Sequence, residues 1–182
     1  MTFSALIVGN DSLALECARM LVEAGHDLRA LSTRHAPTRA WAEERGIPVV
    51  EPGPGLADRL RAAEPRGADW LISAANLDIL PPEALALARR GAVNFHDGPL
   101  PEAPGLNVPA WALLEGAREH GITWHLIEGG VDEGRIVATH PVAIAEDETA
   151  HSLNAKCFVA GIEAFPEVMD RLDGALQPRP QD

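Results

Sequence analysis

Residues 3 to 32 read FSALIVGNDSLALECARMLVEAGHDLRALS, and this stretch indicates the fold. It opens with a short apolar run that ends at Gly9, as buried strands often do. From Ser12 onward the apolar residues recur at helical spacing until Gly25, and residues 27–32 are typical of a second strand. The pattern predicts a strand, a helix and a second strand, which together form the building unit of a parallel sheet.

The same alternation continues through the first half of the chain. Further helices are predicted at residues 38–45, 56–63 and 82–89, and further strands at residues 47–50, 69–73 and 91–95. The stretch EPGPG at residues 51–55 is a loop, because two prolines and two glycines resist regular structure. Strands alternating with helices at this spacing predict an α/β fold: a Rossmann-like, open, mostly parallel sheet with helices on both faces.

The second half of the chain follows a different pattern. It predicts a loop rich in proline and glycine, a short helix, two strands and a long helix, at residues 96–105, 107–115, 121–127, 135–144 and from Thr149 onward. Asn107 is placed to cap the short helix. These elements form a short C-terminal strand and helix extension of the sheet. We expect one domain at residues 1–176 and a polar tail or linker at residues 177–182.

The composition limits the classes of partner. The 182 residues carry a formal net charge of −12, and Lys156 is the only lysine. An acidic surface repels phosphate backbones, and no basic stripe is visible, so nucleic acid is not an expected partner. No apolar run reaches the roughly 18–20 residues of a membrane span, and the N-terminus lacks the features of a secretion signal. We therefore expect a cytoplasmic protein without membrane association.

Asn94 and His96 are the first candidates for a chemical site. They lie at the end of the predicted strand at residues 91–95, and the alternation of a strand places both on one face. Ligands of open α/β sheets bind at that edge, where a carboxamide and an imidazole can polarise a carbonyl group and move a proton. On spacing alone the simpler interpretation is favoured, in which both side chains only satisfy backbone groups of the next loop.

A set of motifs in a fixed order changes this interpretation. The motifs are ILP at residues 79–81, NFHDGPLP at 94–101, GLN at 105–107, WAL at 111–113, GITWH at 121–125 and DEG at 132–134. Their order and spacing resemble the formyltransferase family that uses N10-formyltetrahydrofolate. The pattern of that family is Asn-x-His, a Leu-Pro loop, Gly-(Val/Ile/Cys)-Thr-x-His and Asp-x-Gly. The resemblance covers nearly the whole chain.

The resemblance implies transfer of a formyl group from N10-formyltetrahydrofolate, the co-substrate, to an amine, and it implies no metal. Asn94 would donate an N–H to the oxyanion of a tetrahedral intermediate, and His96 would act as acid, base or cation. Asp132 would hold His96, or a water molecule that relays protons to it. The residues implied in folate binding are Leu77, Asp78, Ile79, Leu80, Gly129, Gly130 and Val131.

Two departures from the family pattern bear on the acceptor. Most members have Ser-Leu-Leu-Pro where this chain has GPLP at residues 98–101, and its loop looks more like the formylation domains that begin some nonribosomal peptide synthetases. The members that act on tRNA also carry a further C-terminal β-barrel. We therefore expect the acceptor to be an amino acid carried by a peptide synthetase, with further synthetase domains as partners.

Three other functions are considered. Sugar-nucleotide or glycinamide-ribonucleotide formyl transfer would need a phosphate clamp, for which Arg34, Arg39 and Arg135 are the candidates. A nucleotide-binding Rossmann domain would need a G-x-G-x-x-G turn, which the sequence GNDSL at residues 9–13 lacks. A folate-binding or docking module without turnover is the third, although three chemically costly polar residues argue against a decayed site.

Other reactive side chains are predicted to be structural. His125 is expected to be packed within a strand, and His120 and His151 are expected to be solvated. Cys17 and Cys157 lie on apolar helical stripes without a metal-binding spacing. We therefore expect two buried thiols in a reducing compartment and no metal site.

Overall fold

A computed structural model describes residues 2–174 and 176–181. The chain divides into two compact units, residues 1–93 and residues 94–182. The predicted domain at 1–176 and tail at 177–182 include residues 1, 175 and 182, which lie outside the described residues. The boundary between domain and tail stays a prediction. Within the tail, the backbone of Arg179 forms an antiparallel bridge with Ile136.

The strands are β1 (Ser4–Gly9), β2 (Asp27–Ser32), β3 (Val49–Val50), β4 (Ala68–Ala74), β5 (Ala88–His96), β6 (Glu119–Leu126) and β7 (Ile136–Ala143). The helices are α1 (Asp11–Glu23), α2 (Ala36–Glu43), α3 (Leu56–Ala63), α4 (Pro82–Leu85), α5 (Val108–Leu114) and α6 (Ala150–Asp173). In the described ranges the seven strands form one sheet in the order β3-β2-β1-β4-β5-β6-β7. The pairs β1–β2, β2–β3 and β1–β4 are parallel, and β6–β7 is antiparallel. This confirms the predicted Rossmann-like, open, mostly parallel sheet with its C-terminal extension.

The core of the first unit follows the alternation that the sequence predicts. β1 is buried along its whole length, and α1 buries Leu13, Cys17 and Leu21. Fully burying a leucine side chain stabilises a fold by roughly 1.5–3 kcal/mol. Gly9 allows β1 to end close to β4, because a Cβ at this position would lie 1.8 Å from the carbonyl oxygen of Ala74.

The predicted helix at residues 82–89 is wrong in its second half. α4 ends at Leu85, and β5 already begins at Ala88. The carbonyl of Leu87 accepts a hydrogen bond from the amide of Ala68 at 2.9 Å. This long-range bond holds the chain extended, and it overrides the helical propensity of the sequence LALARR.

Two further corrections concern the ends of elements. β3 is limited to Val49–Val50, whereas the sequence predicts residues 47–50, and Pro48 has no N–H to contribute to a ladder. Asn107 precedes α5 as predicted, but its backbone is left-handed and its side chain forms no capping hydrogen bond. The start of α5 is therefore held by the buried Val108 and Pro109 rather than by a polar cap.

The second unit packs α6 against β6 and β7. Trp124 of β6 and Phe165 of α6 are fully buried with ring centroids 5.3 Å apart, and the indole N–H of Trp124 donates to the carbonyl of Gly161. α6 begins with a capping box formed by Thr149 and Ser152, as the predicted start at Thr149 requires.

Among the described residues, no helix combines the length and apolar character that crossing a membrane demands.

Thr123 of β6 fixes the loop that follows β5. Its hydroxyl donates to the carbonyl of Gly98 at 2.9 Å and accepts from the amide of Leu100 at 3.1 Å. Both hydrogen bonds are buried, so water is not available as a replacement partner. The loop between β5 and α5 therefore has a fixed anchor on β6.

The carboxylate of Asp69, on β4, accepts several hydrogen bonds within the first unit. It accepts hydrogen bonds from the amide and the hydroxyl of Ser4, at 2.8 and 2.7 Å, and from Nη2 of Arg89 at 2.8 Å. The amide of Ser4 is the largest cause that lowers the pKa of Asp69, to about 2. The charged form of Asp69 therefore stabilises the folded state.

We expect Asp69→Asn to lower the free energy of unfolding at pH 7 by about 1–2 kcal/mol. Because the folded-state pKa is depressed, the contribution of Asp69 is present above its unfolded pKa of about 4 and is lost as the pH falls towards about 2. Urea unfolding at pH 7 and pH 3 measures this. The wild-type protein should lose more stability between the two pH values than the variant does.

Asp58→Asn is the matched control for this experiment. Asp58 also pairs with an arginine, Arg61, but its side chain is 87% exposed. Exposed pairs of this kind contribute little to stability. An equal loss of stability in the two variants would contradict the role assigned to Asp69.

A second prediction concerns the anchor on β6. We expect Thr123→Val to lower the free energy of unfolding by about 1–3 kcal/mol, because the buried amide of Leu100 and the carbonyl of Gly98 lose their partner. Thr139→Val is the matched control, since Thr139 is paired with Thr123 in the β6–β7 register and is exposed. Chemical unfolding measures both variants. Wild-type stability in Thr123→Val would show that the anchor does not hold the loop.

Candidate active site

The three predicted catalytic side chains meet within the second unit. Asn94 and His96 lie at the carboxyl end of β5, and Asp132 lies in the loop between β6 and β7. Nδ1 of His96 is 3.5 Å from Oδ2 of Asp132. Asn94 is linked to Asp132 through His125. Nε2 of His125 lies 3.2 Å from the side-chain nitrogen of Asn94 and 3.5 Å from Oδ1 of Asp132. The structure thus brings the three together, while their catalytic roles stay predictions.

The imidazole of His96 is held by a bond to a loop carbonyl. The side chain is 5% exposed, and Nε2 lies 2.7 Å from the carbonyl oxygen of Ala103. A carbonyl only accepts hydrogen bonds, so Nε2 carries a proton. In the neutral ring, Nδ1 is then the atom that can take up a proton, and the resulting cation would face the carboxylate of Asp132.

Asp132 is a nearly buried carboxylate with a fixed position. Its Oδ2 accepts a hydrogen bond from the amide of Gly105 at 2.9 Å, and its backbone is left-handed with φ 58°. Burial raises the pKa of Asp132, but the contacts with His125, the Gly105 amide and the charge of His96 outweigh burial and hold the pKa below its ordinary value. The carboxylate is therefore charged at neutral pH.

His125 is packed and hydrogen-bonded, as predicted, and its contact with Asn94 also links it to the candidate site. Its Nδ1 lies 2.9 Å from the carbonyl oxygen of Leu126 and therefore carries a proton. In the neutral ring, Nε2 accepts a hydrogen bond from the amide of Asn94. In a protonated ring, Nε2 would instead donate towards Oδ1 of Asp132, which lies 3.5 Å away. The sequence signal for a place of His125 in the site is the motif Thr-x-His at residues 123–125. Alternation along β6 puts its two polar side chains on one face of the strand.

Asn94 is oriented by this contact. One N–H of its carboxamide is directed at His125, which leaves the second N–H and the carbonyl oxygen for other partners. An amide with a fixed orientation and one free N–H is suited to bind an oxygen atom on which negative charge develops.

The predicted solvation of His120 is wrong. The ring is buried, and its Nε2 lies 2.8 Å from the backbone carbonyl of Asp97. Burial raises the pKa of the Asp97 carboxyl, although His96 and His120 act in the opposite direction. Asp97 is therefore a second acidic group near the imidazole of His96, whereas the exposed His151 is solvated as predicted.

Gly98 allows the loop to approach the imidazole of His96. A Cβ at this position would lie 2.9 Å from Nε2 of His96, 2.9 Å from the carbonyl oxygen of Ala103 and 2.7 Å from Cγ1 of Val108. These distances are shorter than non-bonded contacts allow. The bond between His96 and Ala103 in its present geometry therefore depends on glycine at residue 98.

The residues predicted to bind folate lie on two loops that belong to different units. Gly129, Gly130 and Val131 precede Asp132 in the loop between β6 and β7. The residues of the other segment, which follows β4, are Leu77, Asp78, Ile79 and Leu80. Large apolar side chains stand exposed on both loops, Leu77 and Ile79 on one and Val131 on the other. Their role in binding stays a prediction.

In residues 2–174 and 176–181, no group of three or more His, Cys, Asp and Glu side chains is arranged to hold a metal ion. Cys17 and Cys157 are free, buried thiols. Burial raises the pKa of the Cys157 thiol to about 12, so this thiol is not a reactive nucleophile at neutral pH.

Comparison with known sequences gives matches over most of the chain. Residues 26–169 match the model of the formyl transferase family. The chain is 35% identical over 192 residues to the methionyl-tRNA formyltransferase of Anaeromyxobacter dehalogenans (strain 2CP-1 / ATCC BAA-258), covering 96% of this chain and 61% of that protein. It is 31% identical over 196 residues to the methionyl-tRNA formyltransferase of Geobacter metallireducens, covering 98% and 62%. The chain therefore spans about three fifths of the length of these relatives.

Solved structures give the same fold at lower identity. Glycinamide ribonucleotide transformylase 1 from Symbiobacterium toebii superposes with a TM-score of 0.82 at 20% identity, covering all of this chain and 95% of that chain. A formyltetrahydrofolate deformylase from Pseudomonas syringae pv. tomato str. DC3000 superposes with a TM-score of 0.83 at 18% identity, covering all of this chain and 67% of that chain. At these identities the likeness concerns the fold alone.

The family match spans well over half of the chain, and its residues include the ends of β5 and β6 and the loop that carries Asp132. The protein belongs to the formyl transferase family.

Proposed function

We propose that this chain transfers a formyl group from N10-formyltetrahydrofolate to an amine. The observation that carries the proposal is the contact of His96 with Asp132, to which Asn94 is linked through His125, in a member of the formyl transferase family. Leu77, Asp78, Ile79 and Leu80, with Gly129, Gly130 and Val131, remain the proposed folate-binding residues.

The proposed reaction uses Asn94 as an oxyanion donor and His96, supported by Asp132, first as a base and then as an acid. The amine nitrogen attacks the formyl carbon, a C–N bond forms, and the carbonyl electrons move to oxygen. The free N–H of Asn94 donates to that oxyanion. His96 takes the amine proton at Nδ1 and Asp132 stabilises the imidazolium, directly or through a water molecule. When the bond between N10 and the formyl carbon breaks, that proton passes to N10, and the products are a formamide and tetrahydrofolate.

We propose that the acceptor is an amino acid carried by a peptide synthetase. A phosphate clamp needs arginine side chains that are free to bind, and two of the three candidate arginines are engaged. Arg135 forms a two-bond pair with Glu128, and Arg39 is bonded to Glu51. Arg34 makes only a loose, exposed contact of 3.8 Å with Asp78 and is the least occupied of the three.

The charge of the whole chain supports the same choice. A net charge of −12 opposes the approach of a polyphosphate or an RNA backbone. An aminoacyl thioester presents a neutral or cationic head to the site, so this repulsion does not act on it. The glycine at residue 98, which distinguishes the loop beside His96, further supports an acceptor unlike those of the serine-containing members.

Methionyl-tRNA is the second candidate acceptor. The observation that favours it is the name of the curated relatives, which are methionyl-tRNA formyltransferases at 31–35% identity. This chain spans about three fifths of their length, so their acceptor is not carried over with the family. Glycinamide ribonucleotide and sugar nucleotides complete the set of acceptors to be tested.

The role of Asn94 predicts a specific loss of rate. We expect Asn94→Ala to reduce kcat about 10²–10³-fold, because one oxyanion donor is lost, while the KM for the folate changes little. Steady-state release of tetrahydrofolate measures both constants. A variant with normal kcat would show that Asn94 does not bind the oxyanion.

The deciding experiment measures tetrahydrofolate release from N10-formyltetrahydrofolate with a panel of acceptors. The panel contains aminoacyl-pantetheine thioesters, methionyl-tRNA, glycinamide ribonucleotide, amino-sugar nucleotides and free amino acids. We expect release with the thioesters, and a loss of about 10²-fold or more in His96→Ala. His151→Ala is the matched control, because His151 is an exposed histidine outside the site.

Each alternative predicts its own outcome in this assay. Release only with methionyl-tRNA would replace the proposed acceptor by tRNA, and release only with phosphate-bearing acceptors would favour the sugar-nucleotide or ribonucleotide activity. Folate binding without release would indicate a non-catalytic folate-binding or docking module. A protein that does not bind the folate at all would contradict the proposal.

A further inference from the structure

A glutamine near the end of the chain touches the loop that carries Asp132. Nε2 of Gln181 donates to the backbone carbonyl of Asp132 at 2.8 Å and to that of Gly134 at 2.6 Å. A carboxamide nitrogen has two hydrogen atoms, so the two bonds use its full donor capacity. One side chain therefore ties together two carbonyls that lie on either side of Glu133.

The segment that carries Gln181 is itself fixed to the second unit. The amide of Arg179 donates to the carbonyl of Ile136 at 2.9 Å, and the amide of Ile136 donates to the carbonyl of Arg179 at 2.7 Å. This reciprocal pair places the segment beside the first residue of β7. The side chain of Gln181 is thus directed by backbone pairing and not only by its own contact.

The loop end next to Gln181 has little freedom to shift. Gly134 is buried, and a Cβ on it would lie 1.7 Å from the carbonyl oxygen of Leu126. Asp132, two residues earlier, holds a left-handed backbone with φ 58°, which is strained for a residue other than glycine. A conformation of this kind persists only where surrounding contacts determine it.

Among the described residues, Gln181 donates hydrogen bonds to both carbonyls. In the part of the chain that the structure describes, no backbone amide donates to the carbonyl of Asp132 or of Gly134. The carboxylate of Asp132 is held from the other direction by the amide of Gly105. Asp132 is therefore fixed at two points, by Gly105 at its carboxylate and by Gln181 at its backbone.

We propose that Gln181 is a positioning residue that holds the backbone of Asp132, so that the carboxylate stays on Gly105 and His96. The effect on catalysis rests on the proposed function, whereas the effect on the bond to Gly105 does not. Gly105 is far from Gln181 in sequence, and the Asp132 carboxylate links the two. The Gly105 amide is therefore a reporter of the position of Asp132.

The first measurement is amide hydrogen exchange in Gln181→Met, which keeps the length of the side chain and removes both donors. We expect the Gly105 amide to exchange several-fold faster, because its acceptor moves. Gln177→Met is the matched control, since Gln177 is an exposed glutamine of the same segment. Unchanged protection of the Gly105 amide in Gln181→Met would overturn the proposal, whatever the enzymatic activity of the protein.

The second measurement is a double-mutant cycle with Asp132→Asn. We expect Gln181→Met to reduce kcat about tenfold with little change in the KM for the folate, and to cause no further loss in the Asp132→Asn background. Single-turnover formyl transfer measures the slow variants. An equal tenfold loss in both backgrounds would mean that Gln181 acts on the fold in general and would overturn the positioning role.

The two measurements separate the two proposals. Faster exchange at Gly105 in a protein without formyl transfer would support the positioning of Asp132 and contradict the proposed function. Normal formyl transfer with unchanged exchange at Gly105 and unchanged kcat in Gln181→Met would support the function and contradict the positioning.

Discussion

The candidate site is arranged around one nearly buried carboxylate, that of Asp132, which needs hydrogen-bond donors or positive charges beside it. An unpaired carboxylate that is removed from water costs several kcal/mol, so its partners must already be in place when the chain folds. Asp132 obtains a hydrogen bond from the amide of Gly105, and the rings of His96 and His125, which lie 3.5 Å from its two oxygens, pair with it when they are protonated. These three residues lie on separate segments of the second unit. The geometry of the site is therefore a property of the whole unit, and it fails if any one of these segments is displaced.

Much of the fold could be predicted because it rests on local signals. Short apolar runs predicted the buried strands, and the spacing of Leu13, Cys17 and Leu21 predicted α1. The turn from α4 to β5 could not be predicted, because it depends on a backbone hydrogen bond between Leu87 and Ala68, which are distant in sequence. In short segments, long-range hydrogen bonds of this kind override the helix propensity of the residues.

In the candidate site, the residues that stand in sequence motifs could be predicted, whereas the contacts between them could not. Asn94, His96 and Asp132 stand in recognisable patterns, and the structure brings them together. The burial of His120 and the link from His125 to Asn94 depend on how strands pair, so the residue types alone did not indicate them. Gln181 carried no signal at all, since a polar residue in a proline-containing segment is typical of exposed chain.

The space around Gly98 has a consequence for how this loop can change. The loop that would line the acceptor amine is in direct contact with the imidazole ring, and no Cβ fits between them. A larger residue at position 98 would require the side chain of Val108, the Ala103 carbonyl or the imidazole ring of His96 to move. Loop and imidazole are therefore sterically coupled: any residue larger than glycine at position 98 would alter the path of the loop and the hydrogen bond of His96 together.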